Sequence, residues 1–171
     1  MSSIKDKLVQ WLVDEGLEVK SEPVPKEAPV EWVIRVTARI PPTIANILIQ
    51  QPSGKDNQII FTLGIMISPE HKSKFNMLTE EKRMIVIAEV LKVAYTICPE
   101  CIIIVQPTPI TAQNLLITKI AYHEELNRVV VANTIRKLAN LLSLISAILN
   151  AELGVIPKPK TDESRYPTSF M

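Results

Sequence analysis

The sequence predicts an α+β domain: an antiparallel sheet whose elements run helix, three-strand meander, helices, two strands and a long C-terminal helix. Three observations predict it. Residues 31–40 and 58–67 alternate inward apolar side chains with others, the period of a half-buried strand. Short turns join the first three strand candidates, so neighbours in sequence pair antiparallel. From about residue 124 to 152 an apolar stretch of helical length closes the domain.

Ser2 or Ser3 starts the first helix, because a hydroxyl accepts from the free amides of the first turn. Ile4, Leu8, Trp11 and Leu12 then share one face. Gly16 suits the left-handed position past the helix end, with Leu17 packing back. Ser21 to Pro29 holds three prolines and several charges and reads as a loop. In the strand from Glu31 to Ile40, Trp32, Ile34, Val36, Ala38 and Ile40 face one way, and Val33, Arg35, Thr37 and Arg39 the other. Pro41-Pro42 breaks it. Ile44 to Gln51 is the second strand, Pro52 to Asn57 a turn, and Gln58 to Ile67 the third strand, with Ile59, Phe61, Leu63, Ile65 and Ile67 inward.

Ser68-Pro69-Glu70 begins a short helix: a capping hydroxyl, proline at the first helical position, and an acid near the positive end. It is expected to end near Asn76. Thr79 caps the next helix, whose apolar run from Met84 to Ile97 predicts burial, and Pro99 stops it. Cys101 to Val105 and Asn114 to Tyr122 are the last two strands. The long helix follows, with Gly154 past its end. The expected division is one domain over residues 1–154 and a proline-containing tail over residues 155–171.

A chain of 171 residues can bury a real core without metal or disulfides. The formal net charge of +1 supplies no field to recruit nucleic acid. Four glycines and 5% aromatic content argue against phosphate-cradling loops and base-stacking platforms. The opening residues are charged and amphipathic, unlike a signal peptide. The charge-free run from Leu138 to Ala151 is short for a bilayer span and contains Asn140, Ser143, Ser146 and Asn150. A cytoplasmic protein with no membrane partner is the expectation.

Cys98-Pro99-Glu100-Cys101 has the spacing by which two sulfurs reach one metal or close a redox disulfide. It sits at a helix carboxyl end, where the dipole does not favour a thiolate. Both cysteines are expected to be plain packing residues. The alternatives are a zinc shared by two chains and a stabilising disulfide in a heat-loving host. His71 and His123 lie at element boundaries and are expected to be solvated or capping. The carboxylate pairs Asp14-Glu15, Glu80-Glu81 and Glu124-Glu125 are sequence neighbours, which diverge on a helix and do not converge on a substrate. Ser53-Gly54-Lys55 lacks the glycine-rich lead of a phosphate loop. Arg35, Arg39 and Lys55 could form a small basic strip on the outer sheet face.

Apolar positions on the long helix exceed what one sheet face covers: Leu138, Leu141, Leu142, Leu144, Ile145, Ile148 and Leu149 take up much more than half of its circumference. Either the preceding apolar helix or a second subunit must cover the surplus. Ile60 and Met66 add apolar surface on the outer face of the third strand.

Gly64 to His71, the Glu-Lys-Arg helix start at Glu81 to Arg83, the strand-to-helix end at Ile117 to Gly154, and Trp11 to Leu17 resemble an uncharacterised archaeal family of unknown function. The likeness covers roughly residues 4–154. The element order is similar to the type III secretion chaperone-like fold. That resemblance implies a small α+β dimer that binds another protein, with no cofactor and no catalytic residues to carry over.

The expected function is therefore a non-enzymatic, homodimeric protein-binding module, adaptor or chaperone-like. Its candidate contact residues are Arg35, Arg39, Ile60, Met66, Leu141, Leu144 and Ile148. A metal or redox role for Cys98 and Cys101 is the second hypothesis, and zinc content separates it. Nucleic-acid binding through the basic strip and the Pro157-Lys158-Pro159-Lys160 segment is the third, and salt-dependent retention separates that.

Overall fold

The computed structural model describes residues 3–154; the expected tail lies outside the described residues. Helix α1 (Ile4–Asp14) opens with a reciprocal cap, in which the Ser3 hydroxyl accepts from the Asp6 amide and the Asp6 carboxylate accepts from Ser3. It ends as expected. Gly16 has φ 75° and the Leu17 amide donates to the Leu12 carbonyl at 3.1 Å.

The chain then makes a strand that the sequence reading took partly for loop. Strand β1 (Glu18–Glu22) pairs antiparallel with β2 (Val30–Ile40), setting Glu18 opposite Thr37 and Glu22 opposite Val33. Its apolar content is a single valine, Val19, which packs against the core. A strand at the end of a sheet needs little more, so no alternation marks it. Strands β3 (Thr43–Pro52) and β4 (Gln58–Met66) continue the meander, with Val36 opposite Ile47 and Ile49 opposite Phe61. Trp32 Nε1 donates to Gln51 Oε1 at 2.8 Å, and the Gln51 amide nitrogen donates to the Asp56 carbonyl, tying down the β3–β4 turn.

Helices α2 (Pro69–Met77) and α3 (Glu80–Ile97) follow, capped by Ser68 and Thr79 as expected. Strands β5 (Ile102–Gln106) and β6 (Asn114–Tyr122) complete an all-antiparallel sheet of order β1-β2-β3-β4-β6-β5. The last helix, α4 (Arg128–Leu153), starts later than expected. Residues 123–125 form a short 3-10 turn, and Asn127 caps α4 by accepting from the Val130 amide at 3.0 Å.

The helices sit on one face of the sheet. Helix α4 lies across β2, β3 and β4, with α1, α2 and α3 packed around it. This arrangement absorbs most of its apolar surplus: Leu138, Leu141, Ile145 and Leu149 are buried, Leu142 and Ile148 half-buried, and only Leu144 of that group is exposed. By length and composition α4 could cross a bilayer; its buried side chains pack on its own sheet and neighbouring helices. Each large side chain withdrawn from water contributes about 1.5–3 kcal/mol.

The unbonded cysteines expected from sequence are corrected: Cys98 and Cys101 form a disulfide, and both are buried. The backbone explains the pairing. The Cys98 amide bonds the Ala94 carbonyl and the Cys101 amide bonds the Cys98 carbonyl, which brings the two Cα atoms to 5.3 Å, within bridging reach. Joined sulfurs are not available as thiolate ligands.

The same turn presents Glu100 to Lys137 of α4 at 2.7 Å and Lys119 of β6 at 2.9 Å. The Lys137 hydrogen bond, opposed by partial burial and reinforced by Lys119, holds the Glu100 carboxyl down at about 2 against an ordinary 4.5. A depressed folded-state value means that this stabilisation is full above pH ~4.5 and is lost as pH falls toward 2. Glu100→Gln should therefore lower the melting temperature at pH 7, with a cost on the order of 1 kcal/mol after solvent screening. Thermal melts of the two proteins should converge between pH 4.5 and 2, the window set by those two values. A constant gap across that window would remove the ion triad as the cause.

Candidate functional site

Among the described residues, one face of the sheet carries no helix. Alternation along each strand sends Val33, Arg35 and Arg39 of β2 outward, with Leu48 of β3 and Ile60 and Met66 of β4. Leu116 and Ile120 of β6 join them, and β5 adds Ile102 and Ile104. Register places these side chains in rows. Ile60 stands opposite Ile120, Gly64 opposite Leu116, and Leu116 opposite Ile104. A β-carbon at Gly64 would meet Leu116 Cδ2 at 3.7 Å, an ordinary contact, so the position does not require glycine for space.

The face is graded in character. At the β5 end Ile102 and Ile104 are 51% and 46% exposed, and Met66 is 83% exposed. At the β1 end it is charged but balanced. Arg35 pairs with Glu22 at 3.0 Å and Arg39 with Glu18 at 3.3 Å. Lys20, then Arg39, hold the Glu18 carboxyl below its ordinary range. The basic strip expected from sequence is therefore neutralised by the strand that the sequence reading missed. Lys55 lies apart, in the β3–β4 turn.

The remaining candidates separate. Leu141 is fully buried inside the chain and belongs to no surface. Leu144 and Ile148 lie on α4, on the helical layer, remote from Ile60 and Met66. His71 is buried, not solvated, and its Nε2 donates to the Gly154 carbonyl at 3.2 Å, which fastens α2 to the end of α4. His123 keeps its ring Nε2 buried with no hydrogen-bond partner among the described residues, while its backbone amide bonds Asn57. Arg83 uses three guanidinium nitrogens on the carbonyls of Asn76, Leu78 and Ile110. The Ser-Pro-Glu-His turn and the Glu-Lys-Arg helix start thus hold elements together.

Among the described residues, hollows at two places lie on the helical side. One of about 280 Å³ lies between α3 and the end of α4, lined by Leu78, Lys82, Ile85, Val86 and Glu152. One of about 160 Å³ lies among α1, β2 and α4, and its Glu15 is already engaged by Arg128 and Arg136, each at 2.9 Å. Neither lining pairs a nucleophile with a base. Among the described residues no group of three or more His, Cys, Asp or Glu side chains is placed to hold a metal ion.

The model of an uncharacterised conserved protein family, DUF2299, matches residues 4–149. The chain belongs to this family. Among solved structures, an uncharacterised protein from Methanothermobacter thermautotrophicus matches this DUF2299 chain with a TM-score of 0.73 at 22% identity, covering 86% of this chain and 96% of that one. At that identity the likeness establishes a shared fold. YbjN from E. coli matches with a TM-score of 0.45 at 15% identity, over 86% of the DUF2299 chain and 90% of its own. No curated protein matches.

The outward apolar residues that sequence reasoning did not single out are Ile102, Ile104, Leu116 and Ile120. Residues 102–105 are apolar without a break. Such a run reads as a strand covered on both faces, and only the topology reveals that one face is bare.

Proposed function

We propose that this protein is a non-enzymatic, homodimeric protein-binding module, adaptor or chaperone-like, whose open sheet face receives the partner protein. The observation that carries the reading is the apolar β4–β6–β5 part of that face. Soluble monomers rarely leave contiguous apolar patches of more than a few hundred Å² exposed, and larger ones mark interaction sites. Nucleic-acid binding is not favoured, because Arg35 and Arg39 already have carboxylate partners.

The test uses two outward positions on one strand. Ile60→Glu combined with Met66→Glu should leave the far-UV spectrum and melting temperature close to those of the parent, since neither side chain is in the core. A protein that co-purifies stoichiometrically with the parent from native lysate should be lost from the double variant. Equal recovery of that protein by both would move the binding surface elsewhere.

A further inference from the structure

The turn that leads α3 into β5 carries the chain's two cysteines, joined to each other, and an acid held by two lysines. Cys98 caps the carboxyl end of α3, and Cys101 immediately precedes Ile102, the first residue of β5. Between them Glu100 Oε1 accepts from Lys137 of α4 at 2.7 Å and from Lys119 of β6 at 2.9 Å. A disulfide that staples a whole fold does so by closing a long loop. In the loop-entropy account its effect on the unfolded chain grows with the logarithm of the loop length. This bridge joins residues only three apart, so its effect is concentrated on the turn itself.

What the turn holds is β5. Among the described residues this five-residue strand has one strand neighbour, β6. Its carboxyl end is fastened without the turn. The Gln113 amide donates to the Gln106 carbonyl at 2.8 Å, and Arg83 of α3 donates to the Ile110 carbonyl in the following loop at 3.2 Å. Its amino end depends on the turn. The Cys101 amide donates to the Cys98 carbonyl at 3.0 Å, the bridge closes the same turn covalently, and Glu100 ties it to α4 and β6. A short outer strand with exposed side chains belongs to the low-stability end of a fold, where opening is local rather than global.

We propose that the Cys98–Cys101 bridge is a redox latch on β5. Oxidised, it holds the amino end of the strand on the sheet, with Glu100 seated between Lys119 and Lys137. Reduced by a dithiol, it frees the turn and lets β5 fray from β6. In that exchange the protein's Sγ–Sγ bond breaks and a sulfur–sulfur bond forms in the reductant. The electron pair passes to the protein's sulfurs, and the protons given up by the reductant's thiols end on Cys98 and Cys101. Both cysteines are buried, so an attacking thiolate meets a sulfur only when the turn opens. Whatever holds the turn shut therefore also slows reduction, which couples Glu100 to the bridge. The chain has no other cysteine, so within one chain the bridge re-forms only between the same two sulfurs. Ile102 and Ile104 lie on β5, so the latch also sets how the apolar end of the open face is presented. The inference goes beyond the sheet-face reading and does not depend on any partner.

The test compares the full chain before and after treatment with dithiothreitol, with thiol titration to follow opening of the bridge. Hydrogen exchange should show the amides of residues 102–106 losing protection several-fold on reduction, while those of β3 and β4 keep theirs. Reoxidation should restore the first pattern. Cys98→Ser with Cys101→Ser should show the reduced pattern and no response to dithiothreitol. Glu100→Gln, with its bridge intact, should be reduced several-fold faster than the parent, a change that a purely structural acid would not make. Unchanged protection of residues 102–106 in a sample whose thiols titrate overturns the inference. So does a loss of protection spread evenly over the sheet, which would make the bridge a staple for the whole fold. A bridge that does not yield to dithiothreitol in the native protein overturns it as well, and a Glu100→Gln rate equal to that of the parent overturns the coupling. If the double serine variant does not fold, the reduced parent decides alone.

Discussion

Phe61→Ala should destabilise the protein by about 3–5 kcal/mol, the range for removing a fully buried aromatic ring from a packed core. Phe61 is completely buried on β4, an interior strand between β3 and β6, and stands opposite Ile49. The loss combines the transfer free energy of the ring with the cavity left under α4, because the sheet on either side holds its neighbours apart. Ile60→Ala, one residue away on the open face, should cost about 1 kcal/mol or less. Denaturant melts of the two variants measure the contrast. Similar losses would mean that the outer face is covered and that the sheet has two packed sides.

Arg83→Met should cost about 2–3 kcal/mol, and Arg83→Lys should recover little of it. The guanidinium donates to the carbonyls of Leu78 at 3.0 Å, Asn76 at 3.0 Å and Ile110 at 3.2 Å. Asn76 and Leu78 lie at the end of α2, where carbonyls have no helical donors. Ile110 belongs to the β5–β6 loop. Hydrogen bonds from a charged donor contribute about 1.5–3 kcal/mol each when counted singly and are not additive. A planar fork serves three directions at once, whereas one ammonium on a flexible stem does not. Hydrogen exchange should show the loop amides of residues 107–113 losing protection in Arg83→Met before those of β4. Unchanged loop exchange would show that the arginine acts only on α2.

The strands that alternate were legible from sequence because their burial is one-sided: Ile34, Val36 and Ala38 on β2, and Ile59, Phe61, Leu63 and Ile65 on β4. Helix caps at Ser3, Ser68 and Thr79 were legible because capping chemistry is local. Strand β1 was not, because Glu-Val-Lys-Ser-Glu carries no periodic signal and becomes a strand only when β2 offers its edge. The start of α4 was missed by four residues because Glu124 and Glu125 look like a first helical turn, while the side chain of Asn127 supplies the actual cap. Of the candidate residues, Ile60, Met66 and Arg35 were read as outward-facing by alternation alone, and the structure turns them outward. The pairing of Arg35 and Arg39 with glutamates was hidden with β1 itself. So was the bare side of β5, since exposure of an apolar run depends on which layer the helices occupy.

The unequal edges of the sheet bear on how far assembly can go. A sheet with two receptive edges could add copies end to end without limit, as fibrils do. Here one terminus of the strand order, β1, carries three charged side chains in five residues, and the other, β5, carries none. Among the described residues, strand addition would have one receptive end per molecule rather than two. A short charged segment at one side of the sheet thus removes one of the two edges that end-to-end growth would need.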